Sequence, residues 1–258
     1  PKIVLLMAAF LAGMGFVFSG LQVNVIGLTI FFGIFFGLAM GFGYSSPTPA
    51  AVKWFNPVHR GFITGLVVSG FGLAPFYIAP LASLLLENIG IPATFFTFGA
   101  LFFIIVFSLS FVIKNPPAGH VPITIERKRK PKTHLKSADK DYNQMLKSKQ
   151  FYLIWGLFFC GTFSGLLIIG QMVKIGQEQA SMENAFFIVT IYALFNFLGR
   201  ISWGTISDFI GRKVSLFLMF SIQTLVFLLF PLLTKPFPLL VGKSLVGFTF
   251  GGMLTIFP

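Results

Sequence analysis

The sequence is poor in the residues on which soluble and catalytic proteins depend. Only 10% of its 258 residues are charged, where a soluble domain carries about a quarter. With 55% hydrophobic residues and 36 Phe, a chain of this length cannot hide its apolar side chains in one water-soluble core. A single cysteine, Cys160, excludes a disulfide framework and a cysteine-rich metal site. Acids are scarce too. All seven (Glu87, Glu126, Asp139, Asp141, Glu178, Glu183 and Asp208) lie outside the long apolar runs or at their ends. The three histidines, His59, His120 and His134, lie in polar segments. The runs therefore lack the carboxylates and imidazoles that an intramembrane hydrolase or metalloenzyme uses. No enzymatic activity, cofactor or metal is expected.

What is present is hydrocarbon. Eight apolar runs stand at 3–20, 26–48, 61–86, 91–113, 151–173, 184–203, 214–231 and 238–258. Each approaches the roughly 20 helical residues needed to cross a bilayer core of about 30 Å. None alternates polar and apolar residues as a membrane β-barrel strand does, so an all-α membrane protein is expected.

Basic residues orient the spans. With the start of the chain on the cytoplasmic side, the inner segments hold Lys2, Lys53, Arg60, ten Lys/Arg between Lys114 and Lys149, Arg212 and Lys213. The outer segments hold Lys174 and Lys235. The net charge of +12 is thus a topology signal and a contact for anionic lipid at the cytoplasmic face. Nucleic acid is not expected to bind the run "ERKRKPK", which sits between membrane helices. The polar gap divides the chain into an N-terminal bundle (1–113), a cytoplasmic basic linker (114–149) and a C-terminal bundle (150–258), each bundle with four helices.

The halves resemble one another weakly. Lys2 and Lys213 each precede a similar apolar run, and "MGFGYSSPTP" (40–49) aligns with "VGFTFGGMLT" (246–255), pairing Tyr44 with Phe250. Repeated halves are typical of secondary transporters. The second half carries two helices and a turn ahead of "VSLFLMF". The repeat therefore leads us to expect a fragment of a larger protein, with about eight of twelve helices present.

One helix is polar where its neighbours are not. Tyr192, Asn196 and Arg200 recur every four residues and share a face. An arginine at mid-membrane costs about 2.5–3.5 kcal/mol on insertion scales and tends to face a water-filled cavity. By rise per residue it lies about 6 Å inside a helix ending at Gly204. Two readings stay open: it grips a carboxylate through two parallel hydrogen bonds, or it snorkels to headgroups. Lys243 is read either as a second intramembrane cation or as a residue snorkelling to the outer leaflet, the second being favoured. Tyr44 and Tyr77 lie within spans in Gly/Pro-rich contexts, and either line a cavity or pack. Gly33, Gly37, Gly41 and Ser45 form one small-residue stripe, and Gly61, Gly65 and Ser69 another, expected to let helices approach closely. Trp54 and Trp155 are expected as anchors near the inner interface.

Residues 204–213, Gly204-Thr-Ile-Ser-Asp208-Phe-Ile-Gly211-Arg212-Lys213, resemble the cytoplasmic loop signature of the major facilitator superfamily, G-x-x-x-D-x-x-G-R-K/R. The stretch "AVKWFNPVHRGFITGLVVSGFGLAPFYIAPLA" (51–82), "NPPAGHVP" (115–122) and the context of Asn196 to Gly204 are similar to the oxalate:formate antiporter family. The resemblance implies a two-bundle fold with alternating access that exchanges small carboxylates, as a monomer in the cell membrane. It implies that Arg200 binds the carboxylate, with Asn196, Tyr192, Tyr44 and Tyr77 as cavity residues. It also implies that Asp208 meets a helix N-terminus of the other bundle, here near Arg60 and Gly61, as a latch; a plain solvated turn is the alternative. Gly204, Gly211, Arg212 and Lys213 complete that gating set, with the two glycines expected to make a tight turn. Proton-linked monocarboxylate transporters look similar but carry an Asp where Asn196 stands. Asn holds no transferable proton, which favours anion exchange over proton-coupled organic-anion symport. A non-transporting membrane sensor is a further alternative.

Overall fold

A computed structural model describes residues 1–22, 24–56, 59–117, 120, 142–181 and 185–257. Most of the expected linker lies outside the described residues, as do Glu126, Asp139, Asp141, Glu183 and His134. The described chain is helical: α1 (Lys2–Gly20), α2 (Val25–Leu28), a π-helix (Thr29–Phe36), α3 (Gly37–Ser45), α4 (Pro47–Val52), α5 (Arg60–Val112), α6 (Tyr142–Leu146), α7 (Lys149–Ala180), α8 (Ala185–Ile210), α9 (Arg212–Leu229) and α10 (Pro236–Ile256).

Among the described residues six helices are long and apolar enough to cross a membrane: Lys2–Gly20, Val25–Val52, Arg60–Val112, Lys149–Ala180, Arg212–Leu232 and Pro236–Ile256. The 53-residue α5 covers two of the eight expected runs. It breaks at Gly90, whose φ of 76° and ψ of 175° are outside the helical region. Pro92 follows in the first turn of the resumed helix, where a missing N–H costs no hydrogen bond. α8, outside those six, has 26 residues, or about 39 Å at helical rise, and is long enough to span.

Phenylalanines build the first half. Phe16 of α1 meets the rings of Phe32, Phe36, Phe95, Phe98 and Phe102 at 4.7–6.1 Å between centroids. Such pairs add about 0.5–1.5 kcal/mol each beyond burial. That matters in lipid, where packing rather than the hydrophobic effect associates helices. In the second half Ile168, Met172, Ile188, Tyr192, Val226, Val246 and Phe250 form one core cluster. Trp203, Met219, Met253 and Ile256 form another.

Three expectations are corrected. The segment 204–210 is not a loop: α8 runs on to Ile210, and the turn is Gly211 alone, at φ 89° and ψ 154°. Gly204 is helical, and its missing side chain serves close approach instead, since a Cβ there would collide with the Gly61 carbonyl. Arg200 is consequently ten residues, about 15 Å, from the end of its helix. Second, a methyl group added at Gly37 or Gly41 would meet no other helix within 4 Å, and one at Gly33 would meet only Thr29 of its own segment. These three glycines face no other helix closely among the described residues, whereas Gly61 and Gly65 pack directly on α8. Third, Lys243 does not snorkel. It is 1% exposed and donates from Nζ to the Met172 carbonyl of α7 at 2.7 Å. Gly176 of α7 leaves room for Ile188, whose Cδ1 a Cβ there would strike.

Trp54 donates from Nε1 to the Lys114 carbonyl at 2.9 Å, tying the turn after α4 to the end of α5. Trp155 is exposed and stacks on Phe159.

Candidate functional site

The polar stripe of α8 faces α5 on one side and α10 on the other. Arg200 is 4% exposed, so its guanidinium stays within the protein instead of reaching headgroups. Nε donates to Asn196 Oδ1 at 2.9 Å, one helical turn back. One terminal nitrogen donates to the Val68 carbonyl of α5 at 2.7 Å, a contact spanning 132 residues of sequence. Both acceptors are neutral oxygens. Hydrogen bonds from a charged donor contribute about 1.5–3 kcal/mol each, enough to offset the cost of the buried cation.

Asn196 is held in turn. Its Nδ2 donates to the Gly247 carbonyl of α10 at 3.4 Å. The Arg200 backbone carbonyl accepts from Thr255 Oγ1 at 3.2 Å. The Phe71 ring, three residues beyond Val68, has its centroid 6.0 Å from the guanidinium carbon. Tyr44 of α3 meets Phe71 edge to face at 5.5 Å, and its hydroxyl donates to the Leu254 carbonyl of α10. Tyr192 is 5% exposed, and its hydroxyl has no hydrogen-bond partner among the described residues. Tyr44, Tyr192, Asn196 and Arg200 therefore belong to one polar centre between α3, α5, α8 and α10. Tyr77 does not join it; it is 56% exposed on the outer surface of α5.

A second constellation lies at the basic end of the same helix pair. The Asp208 carboxylate accepts from the backbone amides of Gly61 at 2.9 Å and Phe62 at 3.0 Å. These are free donors of the first turn of α5, and the helix dipole adds a favourable charge interaction. α5 receives no capping hydrogen bond from His59, the residue ahead of it, so an acid 147 residues away serves as its cap. Arg60 is exposed, and Asp208 engages the backbone beside it. Arg212 and Lys213 open α9 directly after the Gly211 turn.

The acceptors Val68 O, Gly247 O and Leu254 O, the Thr255 hydroxyl and the Phe71 face are parts of this centre that the sequence did not single out.

The family model described as Major Facilitator Superfamily matches residues 1–258. The chain belongs to this superfamily. It is accordingly a multi-pass membrane protein, and its helices form part of the superfamily's two-bundle transporter fold. Among curated relatives, it is 30% identical over 263 residues to the oxalate:formate antiporter of Oxalobacter formigenes, covering all of this chain and 60% of that protein. It is 29% identical over 264 residues to the uncharacterized MFS-type transporter YhjX of Escherichia coli strain K12, again over the whole chain and 62% of the relative. A more remote likeness, 22% over 170 residues, is to the sodium-dependent phosphate transport protein 1 of Oryctolagus cuniculus, covering 63% of this chain and 37% of that protein. The chain thus spans about three-fifths of the length of the two relatives that it matches throughout.

Proposed function

We propose that this superfamily member exchanges small carboxylate anions, of the oxalate, formate or monocarboxylate kind, by alternating access, and that Arg200 grips the carboxylate. The observation that carries the reading is a guanidinium buried in the membrane region whose acceptors are an amide and a carbonyl oxygen, not a carboxylate. Among the described residues no acid is bonded to this guanidinium, so its charge is open to balance by an anion. The 30% identity with an oxalate:formate antiporter supports the substrate class. Asn196, Tyr192 and Tyr44 surround the anion in this reading, while the exposure of Tyr77 removes support for it as a lining residue. Asp208, with Gly61 and Gly204, forms a gate that Arg60, Gly211, Arg212 and Lys213 flank. The reading sets 114–149 in the cytoplasm against anionic lipid, as the linker between bundles 1–113 and 150–258 of a monomer.

The test is oxalate and formate affinity in the purified full transporter, parent against Arg200→Lys and Arg200→Gln. Lysine keeps the charge but loses the fork; glutamine loses both. Both variants should bind at least tenfold more weakly, a loss of about 1.4 kcal/mol or more, with glutamine the worse. Equal affinity in parent and Arg200→Lys would remove Arg200 from the site. In vesicles, exchange accelerated by internal anion indicates antiport; uptake that needs only a pH gradient indicates symport and overturns the exchange reading.

A further inference from the structure

Arg200 has two phenols for neighbours. Tyr44 and Tyr192 both lie within the field of its guanidinium. A phenol carries one proton, so it donates one hydrogen bond at a time. Tyr44 spends that proton on the Leu254 carbonyl of α10, an acceptor with no proton to return. Its hydroxyl can donate to an anion only by leaving α10. Tyr192 has not spent its proton. Its hydroxyl oxygen is buried and has no hydrogen-bond partner among the described residues.

An unpaired hydroxyl inside a protein is costly, because it has given up water and gained nothing for it. The Tyr192 ring is seated closely on α10: a methyl group added at Gly247 would meet two of its ring carbons at 3.0 and 3.1 Å. The carbonyl of the same Gly247 holds Asn196, which in turn steadies Arg200. One residue of α10 therefore sets both the phenol and the amide beside the cation. Arg200 keeps donors in hand. It uses one N–H on Asn196 and one on the Val68 carbonyl, and the rest suffice to grip one carboxylate. They leave a second acceptor on the same ligand to be met by another group.

We propose that the Tyr192 hydroxyl donates to a second carboxyl group of the substrate, so that this site selects anions with two carboxyl groups over anions with one, while Tyr44, its proton already committed, takes no part in that choice. The inference rests on the reading of Arg200 as the carboxylate site, and it narrows the substrate of that site to the oxalate kind over the formate kind. Formate leaves the Tyr192 hydroxyl as unpaired as it is in the empty protein. A second carboxylate pairs it, through a bond strengthened by the charge of the acceptor. That gain falls to the dicarboxylate alone. A site that holds a buried polar group in readiness discriminates against the analogue that cannot pair it. Tyr192 is thus a specificity residue, and Tyr44 is a tie between α3 and α10.

The experiment measures oxalate and formate affinity in the purified full transporter, parent against Tyr192→Phe and Tyr44→Phe. The parent should bind oxalate more tightly than formate. Tyr192→Phe removes the hydroxyl and keeps the ring on Gly247. It should weaken oxalate by roughly tenfold or more, the share of one charge-assisted bond, and leave formate within about twofold of the parent. Tyr44→Phe unties α3 from α10 and should change both affinities by one factor, so that their ratio stays. A Tyr192→Phe protein with the parent's oxalate affinity would overturn the inference, the hydroxyl then being served by water alone. So would an equal loss of both anions, which marks a merely structural phenol. A parent that binds the two anions equally overturns it as well, and decides the matter even if Tyr192→Phe does not fold. Arg200→Lys separates this inference from the site itself. If Arg200→Lys loses both anions while Tyr192→Phe leaves their ratio unchanged, the selectivity role falls and the site stands; if Arg200→Lys binds oxalate undiminished, both fall.

Discussion

Asp208→Asn is the sharpest probe of the cap on α5. The carboxylate presents one oxygen to Gly61 N and the other to Phe62 N, at 2.9 and 3.0 Å. Asparagine keeps one acceptor oxygen and turns an NH2 group toward the second amide, donor against donor. The change therefore removes one charge-assisted bond, weakens the other, and removes a charge at a helix N-terminus. A bond to a charged group is worth about 1.5–3 kcal/mol when buried, and the dipole adds about 0.3–1. One of the two amides here is exposed, so the lower part of the range applies, about 1.5–2.5 kcal/mol. At about 1.4 kcal/mol per factor of ten, the ratio of capped to uncapped protein falls roughly ten- to sixtyfold. Thr64, one turn into α5 and buried, reports that ratio. With Cys160 replaced by Ser, a cysteine at Thr64 reacts with maleimide only when the helices part. Its labelling rate should rise by the same factor in Asp208→Asn, while thermal stability changes by a few degrees at most. A labelling rate equal to the parent's would refute the cap as an element that holds the helices together. It would leave Asp208 as a solvated acid with two incidental contacts.

The other predictions concern charge and depth. Asn196→Asp puts a titratable acid on Arg200 Nε: oxalate affinity should stay near the parent's at acidic pH and fall as pH rises, because the ionised aspartate then competes with the anion; a flat profile would sink the arrangement. Lys243→Met should leave the melting temperature within a few degrees of the parent, since it replaces a buried ammonium with an apolar chain of similar length, whereas Lys243→Glu should prevent folding against the Met172 carbonyl; scanning calorimetry in detergent separates the two. A cysteine at Ser137 should label only after permeabilisation, and labelling from outside intact cells would reverse the topology.

The parts of this architecture that depend on side-chain chemistry were legible in the sequence. Tyr192, Asn196 and Arg200 repeat at helical spacing, so their shared face followed from arithmetic. The turn at Gly211 followed from a glycine between two apolar runs. What escaped was supplied by backbone or by a partner helix. Val68 O, Gly247 O and Leu254 O are carbonyls that every residue owns, and no residue type marks the ones that accept a donor of the centre. Gly204 looked like a turn glycine because a glycine needed for close approach carries the same letter. Lys243 looked able to snorkel because the acceptor that holds it inside is the Met172 carbonyl of another helix, 71 positions earlier. The stripe at Gly33, Gly37 and Gly41 had the right spacing for a contact, but spacing cannot say whether a neighbour stands opposite.

α8 touches α5 through two charged groups of its own, Arg200 and Asp208, eight residues and about 12 Å apart along one unbroken helix. Two rods pinned at two points are a rigid plate, and pinned at one they become scissors. While both pins hold, α8 can only carry α5 with it. Free the pin at Val68 and the remaining one at Gly61 and Phe62 becomes a fulcrum, so the rods swing apart at the arginine end while staying joined at the aspartate. Free the Asp208 pin first and the arms open at the other end, about the arginine. The order in which the two are lost decides which end of the pair opens first.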